Sequence, residues 1–146
     1  MNMWQFAATF FYLGKLPFAP GSWGSLGALI LWFFLPLSYP LQFIIISILF
    51  ALGVISSKKT ADSMNDHDPS EVVIDEATGM GISLFMLPHS IAIYTMAFIL
   101  FRIFDIFKPS FIYRVQNLPG GWGIMLDDVF AGIFVWLICQ GIITIL

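Results

Sequence analysis

LQFIIISILFALGVI, Leu41 to Ile55, holds no charged residue and only Gln42 and Ser47 as hydrogen-bonding side chains. Ile91 to Phe104 and Val129 to Leu146 are similarly apolar, with a shorter run from Leu26 to Leu35. Most fall below the roughly 20 residues that span a bilayer core. Helices built on them must therefore extend into their polar flanks, or sit in a locally thinned membrane. The chain as a whole is 10% charged and 59% hydrophobic, with mean hydropathy +0.90. An ordinary soluble domain is about a quarter charged, and 146 residues are too few to bury this much apolar surface in a soluble core. The fold expected is all-α: one domain, residues 1–146, forming a small multi-pass membrane bundle of about five short apolar helices.

The charges sit in alternate gaps between the apolar runs. Lys15, Lys58, Lys59, the stretch Asp62 to Glu76, the group Arg102 to Arg114, and Asp127 with Asp128 fall on one side. The gaps around Pro36 to Pro40 and Pro88 to Ser90 hold no Lys, Arg, Asp or Glu. The charged ends of the helices thus share one face. All six Lys and Arg residues belong to it, and such an excess in short loops marks the cytoplasmic side. Walking the chain gives five passes, the third being the weak one after Glu76, with an acidic site facing the cytoplasm.

Other classes are narrowed by composition. A net charge of -3 without a basic stripe does not suit a nucleic-acid partner. Met1 to Leu13 lacks the basic start and small-residue cleavage pattern of a signal peptide and reads as an interfacial or re-entrant segment. The single Cys139 excludes an intramolecular disulfide. The sequence leaves the oligomeric state open.

Four constellations on the charged face can carry chemistry. Asp75-Glu76 opens an apolar helix bearing Gly79 and Gly81; capping explains acids there, though two together at a membrane boundary exceed it. Arg102, Asp105 and Lys108 are spaced by three and share one side of a helix that Pro109 ends. Asp105 lies at the wrong helix end to be a dipole partner, so it needs a cation, by a plain ion pair to Arg102 or in a functional site. A glycine-rich loop, Pro119 to Gly123, delivers Asp127 and Asp128, of which capping accounts for one. Pro20-Gly21-Ser22-Trp23-Gly24-Ser25 opens the first long helix; it reads either as a phosphate cradle, with Gly21, Ser22, Gly24 and Ser25 near free amide donors, or as small residues that permit close helix packing.

Asp75, Glu76, Asp105, Asp127 and Asp128 outnumber the nearby cations, and hard oxygen donors in that number suit Mg²⁺ together with phosphate oxygens. Zn²⁺ is disfavoured: there is no Cys pair, and His67 and His89 fall on opposite faces. His67, between acids in a polar loop, is either a solvated partner or a proton shuttle. Metal, phosphate-tolerant loop and cations in a membrane imply a phosphorylated lipid substrate.

The chain resembles the phosphatidylglycerophosphatase A family. The matching segments are FAPGSWGSLGAL (Phe18 to Leu29), HDPSEVVIDEATGM (His67 to Met80), FRIFDIFKP (Phe101 to Pro109) and GGWGIMLDDVFAG (Gly120 to Gly132), in the family's order. The resemblance implies a Mg²⁺-dependent bacterial inner-membrane enzyme that removes the terminal phosphate of phosphatidylglycerophosphate. It implies Asp75, Glu76, Arg102, Asp105 and the pair Asp127 and Asp128 as functional residues. Together with the reading of the residues, this makes the expected catalytic group Asp75, Glu76, Arg102, Asp105, Lys108 and Asp128. Phosphate is expected on Gly21, Ser22, Gly24, Ser25, Arg102 and Lys108, and metal on Asp75, Glu76, Asp105, Asp127 and Asp128. Attack by water with a carboxylate base, or through a phospho-aspartate on Asp105 or Asp128, is open. Two further classes stay open: a phosphatase of another lipid phosphate, and a divalent-cation carrier or lipid-binding membrane protein with no enzymatic activity. The carrier reading expects acids through the membrane depth and on both faces.

Overall fold

The computed structural model describes residues 3–34, 38–66, 69–108, 114 and 117–145. Among these described residues there is no strand, and six α-helices are seen. These are α1 (Met3–Ala8), α2 (Pro20–Phe34), α3 (Tyr39–Met64), α4 (Ile74–Leu84), α5 (Ile91–Phe107) and α6 (Gly121–Ile145). A short 3-10 turn, Leu13–Lys15, links α1 to α2.

Local chemistry sets the boundaries. Pro20 starts α2, where its missing N–H costs nothing, and the Ala19 carbonyl accepts from Ser22 and Trp23. Asn65, left-handed at φ 51°, closes α3 and donates its N–H to Ala61; Asn is one of the few residues that adopts this conformation easily. The Ser90 hydroxyl caps α5 by accepting from the Ile93 N–H. Gly120, at φ +62°, turns the chain into α6.

Helices α3 and α6 are longer than the apolar runs that predict them. Both extend into polar flanks, α3 to Met64 and α6 back to Gly121. With 26 and 25 residues, they measure about 39 and 37 Å at 1.5 Å per residue. These two are long and apolar enough to cross a membrane. The remaining helices are shorter, α4 at 11 residues reaching only about 16 Å. Where about five short apolar helices were expected, two described helices are long and apolar enough to span and the others are shorter.

The short α4 is the centre of the bundle and packs against α2, α3, α5 and α6. Nearly every residue of it is buried, around Trp32, Met80, Leu84, Phe101 and Val135. Its approach to α6 is very close: a Cβ on Gly132 would lie 2.5 Å from the Gly79 carbonyl oxygen, and one on Gly79 would lie 2.6 Å from the Asp128 carbonyl oxygen. Two glycines facing each other let these backbones touch. The N-terminal segment packs α1 on α3, and Ala8 accepts a hydrogen bond from the Val73 N–H just ahead of α4.

Polar and apolar groups are distributed inside out. Ser25, Ser56, Ser57, Thr60, Asp75, Thr78, Ser83, Asp127 and Asp128 are buried, whereas Phe43, Ile44, Ile48, Ile55, Ile91, Ile99, Ile106 and Leu137 are exposed on α3, α5 and α6. Large apolar faces on several helices are not what water tolerates on a monomer. They fit a bundle in contact with lipid.

Candidate active site

Four helix ends meet at one end of the bundle. The first turn of α4 supplies Asp75 and Glu76. The last turns of α5 supply Arg102 and Asp105, with Lys108 capping that helix. Asp127 and Asp128 come from the start of α6, and the first turn of α2 brings Gly21. A Cβ on Gly21 would lie 2.9 Å from Glu76 Oε1 and 3.0 Å from Arg102 Nη1. Groups far apart in sequence are thereby brought together.

The carboxylates form two overlapping triads. Ligand oxygens of Asp75, Asp127 and Asp128 lie within 4.8 Å of one another, and so do those of Glu76, Asp105 and Asp128. Two cations are fixed among them. Arg102 donates to Asp105 at 2.5 Å and Lys108 donates to Asp127 at 2.6 Å. The other oxygen of Asp127 accepts the Asp128 backbone N–H at 2.8 Å. The simple ion pair of Arg102 with Asp105 is thus present, and Asp105 is also part of the acidic cluster.

The site is sheltered from water. Asp75, Asp127 and Asp128 are 6%, 4% and 1% exposed. Buried Asp75 Oδ1, Glu76 Oε2, Asp128 Oδ1 and Arg102 Nε have no hydrogen-bond partner among the described residues. A buried carboxylate oxygen without a donor is costly, and five carboxyl groups gather around only two cations. Both features fit a divalent cation on hard oxygen ligands. Burial alone would lower the Lys108 pKa, but Asp127, with Asp128 and Asp105 behind it, outweighs burial and holds this ammonium above the ordinary lysine range. Lys108 therefore stays charged.

The glycine-rich start of α2 serves two purposes. Gly21 faces Glu76 and Arg102, whereas a Cβ on Gly24 would strike Val73 at 2.8 Å and one on Gly27 would strike Leu13 at 2.5 Å. Ser22 is half-buried. Buried Ser25 donates its hydroxyl to the Gly21 carbonyl at 2.8 Å within its own helix. Of the residues expected to cradle phosphate, Gly21 is at the cluster, while Gly24 and Ser25 have packing and intrahelical partners.

Other charges lie apart from the triads. Lys15 pairs with Glu71 at 3.5 Å and Lys58 with Asp62 at 2.9 Å, and Lys59 lies over the Trp4 ring. His67 and Pro109 lie outside the described residues. His89 is at the far end of the bundle, stacked on Phe33 and in contact with the Phe33 carbonyl. Cys139 is buried in α6. The sequence gives little notice of the Gly79–Gly132 contact or of the Phe101 ring against Gly79; a glycine inside a helical run is the sole local signal for the first, and the second has none.

The profile of the family described as Phosphatidylglycerophosphatase A matches residues 6–143. The chain is 37% identical over 135 residues to the phosphatidylglycerophosphatase A of Escherichia coli K12, covering 90% of this chain and 78% of that protein. It is 39% identical over 138 residues to the Haemophilus influenzae protein of the same name, covering 92% and 85%. A Bacteroides thetaiotaomicron protein, provisionally named a phosphatidylinositol-3-phosphatase, is 38% identical over 138 residues, covering 89% and 87%. No solved structure matches the chain. With its acid-bearing segments inside the matched span, the chain belongs to the phosphatidylglycerophosphatase A family.

Proposed function

We propose that the protein is a Mg²⁺-dependent phosphatidylglycerophosphatase, releasing inorganic phosphate from phosphatidylglycerophosphate and leaving phosphatidylglycerol in the membrane. The observation that carries this reading is the buried acidic cluster at four helix ends, with unpartnered oxygens on Asp75, Glu76 and Asp128, in a chain of this family. Asp75, Glu76, Asp105, Asp127 and Asp128 would hold Mg²⁺. When bound, Mg²⁺ supplies Lewis-acid polarisation of the phosphate and favours ionisation of a bound water.

The protein's own groups do the remaining work. Arg102, with Nε free of partners, neutralises charge developing on the phosphate oxygens. Gly21, which faces Arg102 and Glu76, and the adjoining Ser22 would receive the phosphate. Lys108 holds Asp127 in place and adds positive potential, which is the main contribution a protein makes to phosphoryl transfer. A cluster carboxylate takes a proton from the water whose oxygen bonds to phosphorus, the P–O bond to the glycerol oxygen breaks, and that oxygen takes the proton from the carboxylic acid so formed and leaves as the alcohol. Burial excludes bulk water and strengthens each of these interactions.

The same reading places the bundle in the bacterial inner membrane with the site toward the cytoplasm, because Lys58, Lys59, Arg102 and Lys108 lie at the acidic end of their helices. Between the Gly21 end and the Phe33–His89 end runs α2, only 15 residues long and about 22 Å. Five passes through a locally thinned bilayer accommodate it, with α4 shielded at the centre.

The test is phosphate release from phosphatidylglycerophosphate by purified protein in detergent, with Mg²⁺ and with EDTA, beside Asp128→Asn. Release that needs Mg²⁺ and collapses in the variant is expected. No release from folded protein overturns the reading. The name of the Bacteroides relative makes phosphatidylinositol 3-phosphate the second substrate to run, and a higher kcat/KM on it would reassign the headgroup while keeping the chemistry.

A further inference from the structure

The two triads do not describe one ion site. Asp75 and Glu76 are neighbours on α4, and neighbouring side chains on a helix diverge by about 100°. One enters the triad with Asp127, the other the triad with Asp105, and Asp128 belongs to both. Each triad also has the same makeup. It holds one α4 acid with an unpartnered buried oxygen (Asp75 Oδ1 or Glu76 Oε2), one acid tied to a cation (Asp127 to Lys108 or Asp105 to Arg102), and the shared Asp128. Asp128 Oδ1 is itself buried with no hydrogen-bond donor.

Charge decides how many ions this arrangement accepts. Ligation requires carboxylates in their ionised form, and five of them so ionised against Arg102 and Lys108 would leave a deficit of three positive charges. One divalent ion leaves the site net negative by one and repels a phosphate dianion. Two make it net positive by one and attract it. Mg²⁺ also takes few carboxylates per ion, usually one or two beside waters and phosphate oxygens, so five on one ion is chemically unsuited. Paired ions about 3.5–4 Å apart recur in enzymes that displace phosphate, one aiding the attacking oxygen and the other the leaving oxygen.

We infer that the chain holds two divalent cations, one on Asp75 and Asp127 and the other on Glu76 and Asp105, bridged by the carboxylate of Asp128. The inference rests on the metal-dependent reading above and specifies it. Asp128 is then unlike the other acids: its loss uncouples the two ions, whereas loss of Asp75 or Glu76 empties one position.

The experiment uses Mn²⁺ as the probe on the purified full chain in detergent, with bound metal counted by equilibrium binding and electron paramagnetic resonance. The wild type is expected to bind two Mn²⁺ per chain with the spectrum of an exchange-coupled pair. Asp75→Asn and Glu76→Gln are each expected to bind one Mn²⁺, with the six-line spectrum of an isolated ion, and Asp128→Asn is expected to lose the coupling. One Mn²⁺ per wild-type chain, or two with no coupling, overturns the inference. Should a variant fail to fold, the wild-type stoichiometry and coupling decide alone. Phosphate release with a single ion defeats this inference and leaves the phosphatase reading standing; a coupled pair in folded protein that releases no phosphate does the reverse.

Discussion

Replacing Gly21 by alanine should slow the enzyme without weakening the fold. The added Cβ would lie 2.9 Å from Glu76 Oε1 and 3.0 and 3.2 Å from the two terminal nitrogens of Arg102. Ordinary contact begins near 3.4 Å, so the Glu76 carboxylate must retreat by about 0.5 Å and the Arg102 guanidinium by about as much. Both are ends of rotatable side chains, and they move at little cost to packing. Alanine in a helix is also favoured over glycine by up to about 1 kcal/mol, so the melting temperature should hold or rise. Catalysis is less forgiving: a misplacement of about 1 Å costs on the order of 100-fold. Half of that displacement on a logarithmic scale gives about 10-fold, or about 1.4 kcal/mol of barrier. The assay is phosphate release at saturating Mg²⁺, with a thermal melt of the same sample. A wild-type kcat/KM in the folded variant would refute the placement of Gly21 beside Glu76 and Arg102. A loss of rate that tracks a loss of folded protein would show that Gly21 matters for packing instead.

Gly132→Ala should do the opposite, because its Cβ would meet the Gly79 carbonyl at 2.5 Å and backbone cannot swing aside. A loss of about 1–3 kcal/mol, read as a lower melting temperature in detergent, is expected, and an unchanged melt would deny the close crossing of α4 and α6. Lys108→Met should lower kcat/KM by the same factor at every pH from about 6 to 9. The folded pKa of Lys108 is raised above its usual 10.5, so its contribution is complete below that value and is lost only as pH rises through the higher folded pKa; a wild-type-to-variant ratio that falls between pH 7 and 9 would contradict this. Ile48→Asp separates lipid from water on the exposed face of α3, where Ile48 is 58% exposed. In water such a surface change costs within about 0.5 kcal/mol, but near the centre of a membrane helix it costs about 2.5–3.5 kcal/mol, so membrane-inserted yield should collapse, and a normal yield would argue against lipid on this face.

What the sequence made legible depended on the range of the interaction. Charges in alternate gaps placed the acids at one end, and the triads there bear that out, because the direction of each helix is fixed by the apolar run that builds it. Helix ends were less legible: extension into the polar flanks was expected but not its length, and α3 continues to Met64 through Ser56, Ser57 and Thr60, polar residues that are buried. The α2 glycines were ambiguous for a sharper reason. Gly21, Gly24 and Gly27 share one spacing, so no local rule distinguishes Gly21 at the site from the two that seat Val73 and Leu13. The bends after α1 gave no signal, since Phe10, Phe11 and Tyr12 take positive φ where glycine or asparagine is the usual occupant.

The least legible feature is the partition of the acids. Adjacent pairs, Asp75-Glu76 and Asp127-Asp128, announce only that each pair must diverge. Which member of one pair meets which of the other depends on how α4 is rotated against α6. The contact between Gly79 and Gly132 sets their spacing, one helical turn from Asp75 and from Asp128 respectively. A side chain at either glycine would separate the helices and pull the α4 acids away from Asp128 before any acid had been changed. The two glycines therefore act on the chemistry through distance alone, and their substitution should weaken Mn²⁺ binding in whatever fraction of the protein remains folded.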